Sequence, residues 1–392
     1  MLKQELTKRL VSLQHMLKVQ RLDSYIISSE ENIWYLTDIT YKPEERPFFI
    51  VVRVKEKPIL IVPKMEEMHL SKVMIDCEII SYWEYPSPEG SNWYDVLQNA
   101  VKDFKRVGIE RHIKSNILSR IYANEVVQVD LVDEMRKVKS PYEVEVIKKT
   151  SQICDNAMEK IFKNVYYGAT VVEPFSLSKS IQTEIIRNKS FDPITTSLLT
   201  AVWPAPISAM PHSIPNLDDR LNKGPNVAMS YLRINGYASE CERTFFIGKP
   251  EKDDKERFVH MMNARNHALR ILKAGVRCSD VDGEAKNYLI QNGFENYLLH
   301  RTGHGIGMRN HEGPWVAEGN DEILRENMVI SIEPGIYIEG IGGYRHSDTI
   351  LITKGGYEIL TKFPVELKDM TILSSNIMAR IKGKIIQRTL KL

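Results

Sequence analysis

At 392 residues the chain is long enough for two compact domains, and its 43% hydrophobic and 27% charged residues suit a protein that buries large cores. Its 53 basic and 51 acidic side chains are spread along the chain and leave a formal charge of +2, which excludes the clustered basic stripe of a nucleic-acid binder. No apolar run approaches the ~20 residues of a membrane span. The start MLKQELTKRL lacks a signal peptide's apolar centre, and Cys77, Cys154, Cys241 and Cys278 form no CxxC pair, so a soluble protein of a reducing cytoplasm is expected.

In chain order, Leu2, Leu6, Leu10, Leu13 and Leu17 recur at helical spacing and predict a first helix to about residue 20. A strand in DSYIISS and a short helix around 32–37 follow. FFIVVRV and PILIVP, joined by Lys55-Glu56-Lys57, predict a hairpin, and a helix over 93–104 leads into the strand RVGIER. This alternation predicts an α/β domain over 1–135. Ser140 as N-cap and Pro141 in the first turn then open a long helix and a second domain over 136–392. Helices are predicted there over 142–164, 174–188, 253–274 and 279–292. Between them VAMSYLRI and YASECERTFFIG flank Asn235-Gly236, a hairpin signal, and MVISIEPGIYI and YRHSDTILIT form a second pair around Gly340 and Gly343. The Lys/Arg-rich stretch from Arg380 to Lys391 is read as a solvated tail or helix face.

Four segments carry chemistry. In HRTGHGIGMRNHEG, His300, His304 and His311 stand four and seven apart with Gly305 and Gly307 between, and make a loop where imidazoles meet a closely approaching backbone. In SIEPGIYI, Glu333 lies inside an otherwise apolar strand just before a Pro-Gly turn, where a carboxylate is costly unless paired, hydrogen-bonded or metal-bound. In GYASECERTFF, strand alternation sends Glu240 and Glu242 to one face and Arg243 to the other; a solvated edge strand is the bland alternative. In GGYRHSDTILIT, Arg345, Ser347 and Thr349 share one face, and His346 and Asp348 the other.

In this order and spacing the four segments resemble those of the creatinase/prolidase/methionine-aminopeptidase superfamily, over about 140–370. DITYKPEERPFFIVV is similar to that family's N-terminal pattern, in which an Arg-Pro precedes a buried strand. The resemblance implies an α+β protein: a pita-bread catalytic domain behind a creatinase-type α/β domain, in a homodimer that hydrolyses C–N bonds. The family's metallopeptidases hold two divalent ions with two aspartates, a histidine and two glutamates. These positions fall here on Met229, Glu240, His304, Glu333 and Ser347. Two anionic ligands are therefore replaced, and no metal cofactor is expected; if one ion of Mn, Co or Zn is held, Glu240, His304 and Glu333 would hold it.

Other positions lean towards creatinase, which works without metal. Glu242 stands directly before Arg243-Thr244 as in that enzyme, and GGYR is shared. His212 falls on the upstream histidine that is creatinase's general acid/base, and Arg46 on the arginine that reaches across the dimer to a substrate carboxylate. His300 and His311 follow the peptidases, while Trp315 and Glu44 depart from creatinase. The expectation is a metal-independent hydrolase of a small amide, guanidino or amidine compound. His212, Glu242, Glu333 and His304 would be catalytic, with Glu242 and Glu333 holding the substrate's positive nitrogen. Arg46, Glu240, His300, His311 and Arg345 would bind substrate. A metal-dependent Xaa-Pro dipeptidase or aminopeptidase, and a non-catalytic pita-bread binding protein, are the alternatives. The expected partners are a small or dipeptide-sized substrate and a second copy of the chain, with neither nucleic acid nor membrane.

Overall fold

The computed structural model describes residues 2–42, 44–189, 191–374 and 376–392; Pro43, inside the DITYKPEERPFF segment, lies outside them. The chain divides into two units, Met1–Arg136 and Lys137–Leu392.

In the N-terminal unit the helix Leu2–Gln20 buries Leu6, Leu10, Leu13 and Leu17, the stripe its spacing predicts. The six-stranded sheet runs Glu78–Tyr82, Ile59–Pro63, Phe49–Arg53, Ser24–Ile27, Arg106–Ile109, Glu125–Gln128. Phe49–Arg53 and Ile59–Pro63 form the predicted antiparallel hairpin. Their continuous apolar runs reflect burial of nearly every residue on both faces.

The C-terminal unit opens with the helix Pro141–Asn164, capped reciprocally by Ser140 and Glu143. Its sheet orders Glu312–Val316, Gly303–Gly305, Val329–Ile332, Gly342–Ile352, Tyr237–Ile247, Asn226–Ile234 and Ser197–Trp203. Tyr237–Ile247 is interior and wholly buried, which removes the edge-strand alternative. The predicted run MVISIEPGIYI is split into Val329–Ile332 and Gly335–Ile338, because Pro334 has no N–H to continue the ladder. Glu333 sits at that break. The helix predicted over 174–188 likewise divides, into Val172–Phe175 and Leu177–Arg187.

Alternation along the two central strands separates two kinds of chemistry. Cys241 and Phe245 join Cys154, Met158, Phe258 and Met261 in the core between sheet and helices. On the same side Asp348 is fully buried, and its Oδ1 accepts from Arg243 Nη2 at 2.8 Å. Its Oδ2 accepts from Arg265 Nη2 at 2.5 Å and His346 Nε2 at 2.7 Å. Burial, the largest influence, pushes the Asp348 pKa up, but Arg243, His346 and Arg265 together hold it well below the usual carboxylate range.

Asp348→Asn leaves two buried guanidinium groups without their anion and should cost about 3–5 kcal/mol in chemical denaturation. Because the folded-state pKa is depressed, this carboxylate's contribution is complete above about pH 4 and is lost as pH falls further; the variant should therefore show a flatter acid limb. Unchanged stability would refute this role for Asp348.

Candidate active site

On the other face the even positions of Tyr237–Ile247 meet the odd positions of the strands on either side. Met229 lies across from Glu242, and Glu242 across from Ser347. A pocket of about 440 Å³ opens there, lined by Met229, Glu240, Glu242, Glu333, His300, His311, Arg345 and His212 among others. His304 lies fully buried beneath it. The three histidines of HRTGHGIGMRNHEG sit around a short strand instead of in a free loop: Gly303–Gly305 pairs with Glu312–Val316. Glycine is required at 305, where a Cβ would meet the backbone Gly313 O at 2.1 Å; at Gly307 a Cβ would displace the Glu312 carboxylate.

His304 is the pivot. Its Nδ1 lies 3.0 Å from Gly305 O, which can only accept, so the ring proton is on Nδ1 and Nε2 presents a lone pair. That Nε2 lies 3.5 Å from Glu240 Oε1 and 3.3 Å from Glu333 Oε1, with no hydrogen-bond partner. Three acceptors therefore face one another. His311 stacks beside it, ring centroids 3.9 Å apart. Ser347 Oγ donates to Glu240 Oε1 at 2.8 Å, and Thr349 Oγ1 accepts from Glu240 N.

Burial raises the Glu240 pKa, against the pull of the Ser347 hydrogen bond. Burial, Glu240 and Glu242 push Glu333 well above the ordinary range. Burial likewise lowers His300, His304 and His311 to about 4, so the imidazoles are neutral at physiological pH.

Glu242 was expected to hold a substrate's positive nitrogen. The chain supplies that partner itself: Arg345 Nε stands 2.7 Å from Glu242 Oε2, and burial raises the acid to about 7 against the guanidinium's pull. The contact is a charge pair without hydrogen-bond alignment, since both atoms lack a hydrogen-bond partner. Arg345 also donates to Pro211 O at 3.0 Å and lies over Trp203. These contacts fix its guanidinium in the pocket wall.

His300 is similarly engaged, with Nδ1 donating to Arg301 O and Nε2 accepting from Tyr337 Oη, each at 2.7 Å. His212 is exposed at the pocket. Arg46 lies in the N-terminal unit, where it contacts Glu45 and Glu84. Two contributors escaped the sequence reading. Arg301 lines the pocket with its Nε unpartnered and its guanidinium 4.6 Å from the Trp315 ring centre. Tyr337 braces His300. Arg301 could have been noticed as the one cation between His300 and His304 in a motif already singled out.

The donor set fits one divalent ion. Glu240, His304 and His311 place ligand atoms within 4.8 Å of one another, so His311 joins the set expected from Glu240, His304 and Glu333. A cation would satisfy the orphaned His304 Nε2 and offset the crowded carboxylates. A second ion lacks its anions, because Met229 and Ser347 stand on that side.

Fold and site together define a C–N hydrolase built on a pita-bread domain. Residues 145–354 match Metallopeptidase family M24, and residues 9–138 match the Creatinase/Prolidase N-terminal domain. The chain belongs to metallopeptidase family M24. An uncharacterized peptidase of Staphylococcus aureus (strain USA300) is 30% identical over 347 residues, 88% of this chain and 96% of that protein. The Xaa-Pro dipeptidase from Bacillus anthracis superposes with a TM-score of 0.79 at 25% identity, covering 94% of this chain and 100% of its own. The prolidase from Pyrococcus horikoshii OT3 gives a TM-score of 0.78 at 27% identity, covering 93% and 99%. These relatives favour the metal-dependent peptidase over the metal-independent, creatinase-like hydrolase drawn from Met229 and Ser347.

Elemental analysis after Mn or Co loading should find one ion per chain at most. Met229→Asp combined with Ser347→Glu should raise this towards two, whereas Ser347→Ala, which frees Glu240, should weaken binding about 10–100-fold. Two ions bound by the unaltered protein would overturn the one-ion assignment.

Proposed function

We propose that the protein is a metal-dependent M24 peptidase that cleaves a dipeptide-sized substrate of the Xaa-Pro type around a single divalent ion. The observation that carries this reading is the lone pair of His304 Nε2, aimed between Glu240 and Glu333 with His311 beside it. The names of the Bacillus and Pyrococcus neighbours support the substrate class.

Glu240, His304 and His311 would hold the ion. When bound, a divalent ion supplies Lewis-acid polarisation of a carbonyl and a more acidic water. Glu333, buried and facing the pocket, takes the proton from the attacking water, and its raised pKa brings it nearer to the strength a base needs at neutral pH. His212, at the exposed side, delivers a proton to the leaving nitrogen. Arg301 offers the substrate carboxylate a guanidinium, while Trp203 and Ile214 provide an apolar wall. Glu242 and Arg345 neutralise one another and keep the wall rigid.

The proposal keeps the homodimer, in which Arg46 would complete the neighbouring subunit's pocket. It also keeps a cytoplasmic location, supported by four cysteines that are all free thiols. No helix among the described residues is long and apolar enough to cross a membrane.

With metal-loaded protein and a panel of Xaa-Pro dipeptides, Glu333→Gln should lower kcat about 10²–10⁴-fold. Arg301→Ala should act mainly on KM, with partial rescue by Arg301→Lys. Hydrolysis that survives chelation would restore the metal-free mechanism, and inactivity on every Xaa-Pro dipeptide would reject the substrate class. Mixed dimers of Arg46→Ala and His212→Ala chains should regain activity that neither parent shows; no recovery after verified mixing would reject the shared site.

A further inference from the structure

The helix Ile377–Leu390 is amphipathic the wrong way round for a helix whose purpose is packing. Its buried residues are Ala379 and Gly383, and Gln387 Nε2 donates to Glu173 Oε1 at 2.8 Å. Gly383 allows that close approach, because a Cβ there would meet Glu173 Oε2 and Tyr166 Oη at 2.1 Å. The large apolar side chains point away. Ile377, Met378, Ile381 and Ile385 are between 47% and 74% exposed, and Leu373 just before the helix is 69% exposed. With about 100° per residue and Gly383 facing inward, Ile381 and Ile385 fall about 160° away and Met378 about 140°. A packing helix would turn these residues towards the core.

The helix is also strongly basic, with Arg388 about 140° from the inward direction, beside the apolar stripe. Arg380, Lys382, Lys384, Arg388 and Lys391 are all basic, and no acidic residue occurs from 376 to 392. Lys382 and Lys384 stand about 100° to either side of the inward direction, flanking the outward apolar stripe where long stems can snorkel. At the base of the helix, Lys223 and Arg380 line a groove of about 230 Å³ with Tyr167 and Leu373. Self-association through this face would bring each cationic flank against its copy, since a two-fold contact pairs a surface with itself.

We infer that this helix docks on an anionic lipid surface, lying in the interface with Met378, Ile381 and Ile385 in the acyl boundary and the lysines at the headgroups. The sequence reading took this stretch as solvated and expected no membrane; the orientation of its apolar face argues for peripheral attachment. The inference rests on a surface separate from the pocket and does not depend on the proposed reaction.

The test is flotation of the full chain with phosphatidylcholine vesicles, with and without phosphatidylglycerol. Binding should require phosphatidylglycerol and fade as salt rises. Lys382→Glu with Lys384→Glu should lower partitioning at least about thirtyfold, and Ile381→Ser with Ile385→Ser should abolish it. All four side chains are exposed, so melting temperatures should stay unchanged; the lysine pair keeps the test valid if the isoleucine pair perturbs folding. Absence of binding, or equal binding to phosphatidylcholine alone, would overturn the proposal. So would conversion of a dimer to a monomer by the isoleucine variant, which would make a second copy the occupant. Binding of a polyglutamate peptide without vesicle binding would make it an acidic polypeptide.

Discussion

The buried carboxylate of Asp348 is the constraint on which the site depends. It accepts from Arg243 on the neighbouring strand and from Arg265 on a helix across the core, fastening Tyr237–Ile247 to Gly342–Ile352 in one register. Side chains alternate strictly along a strand, so once the odd positions of one strand meet the even positions of the other behind the sheet, the remaining positions meet in front. Glu240, Glu242, Arg345 and Ser347 become neighbours for that reason. A one-residue slip would send Arg243 into the pocket and the glutamates into an apolar core.

The front face then balances its own charge. Glu240, Glu242 and Glu333 bring three carboxylates, and Arg345 returns one positive charge, leaving two negative charges for one divalent cation. Carboxylates at 229 and 347 would add two more negative charges, a load suited to a second dication. The thioether of Met229 and the hydroxyl of Ser347 remove that load without opening the wall. Arg301 remains in the pocket wall as a positive group with an unpartnered Nε.

Much of this was readable from the chain. The Asn-Gly hairpin, the Ser140–Glu143 cap, the facing of Glu240 with Glu242, and that of His346 with Asp348 depend on local periodicity and turn chemistry, which sequence expresses directly. What was not readable depends on pairing between distant segments. Nothing near Glu242 announces that Arg345, about a hundred residues on, lies diagonally opposite and claims its charge. Tyr337 reads as one more apolar strand residue until its hydroxyl is seen against His300. The splitting of the strand at Glu333 was legible in Pro334, and the significance of Arg301 was hidden by the histidines on either side.

The connection that carries His212, between Ser197–Trp203 and Asn226–Ile234, is tied down by polar contacts. Arg345 donates to Pro211 O, Trp203 Nε1 to Ser213 O, and Ser208 Oγ bridges Pro225 O and the Gly343 amide. The buried Ala205 and Leu221 anchor the same connection through apolar contact. Whatever enters or leaves the pocket on this side therefore passes the exposed side chains of His212 and Ile214, which this connection holds in place.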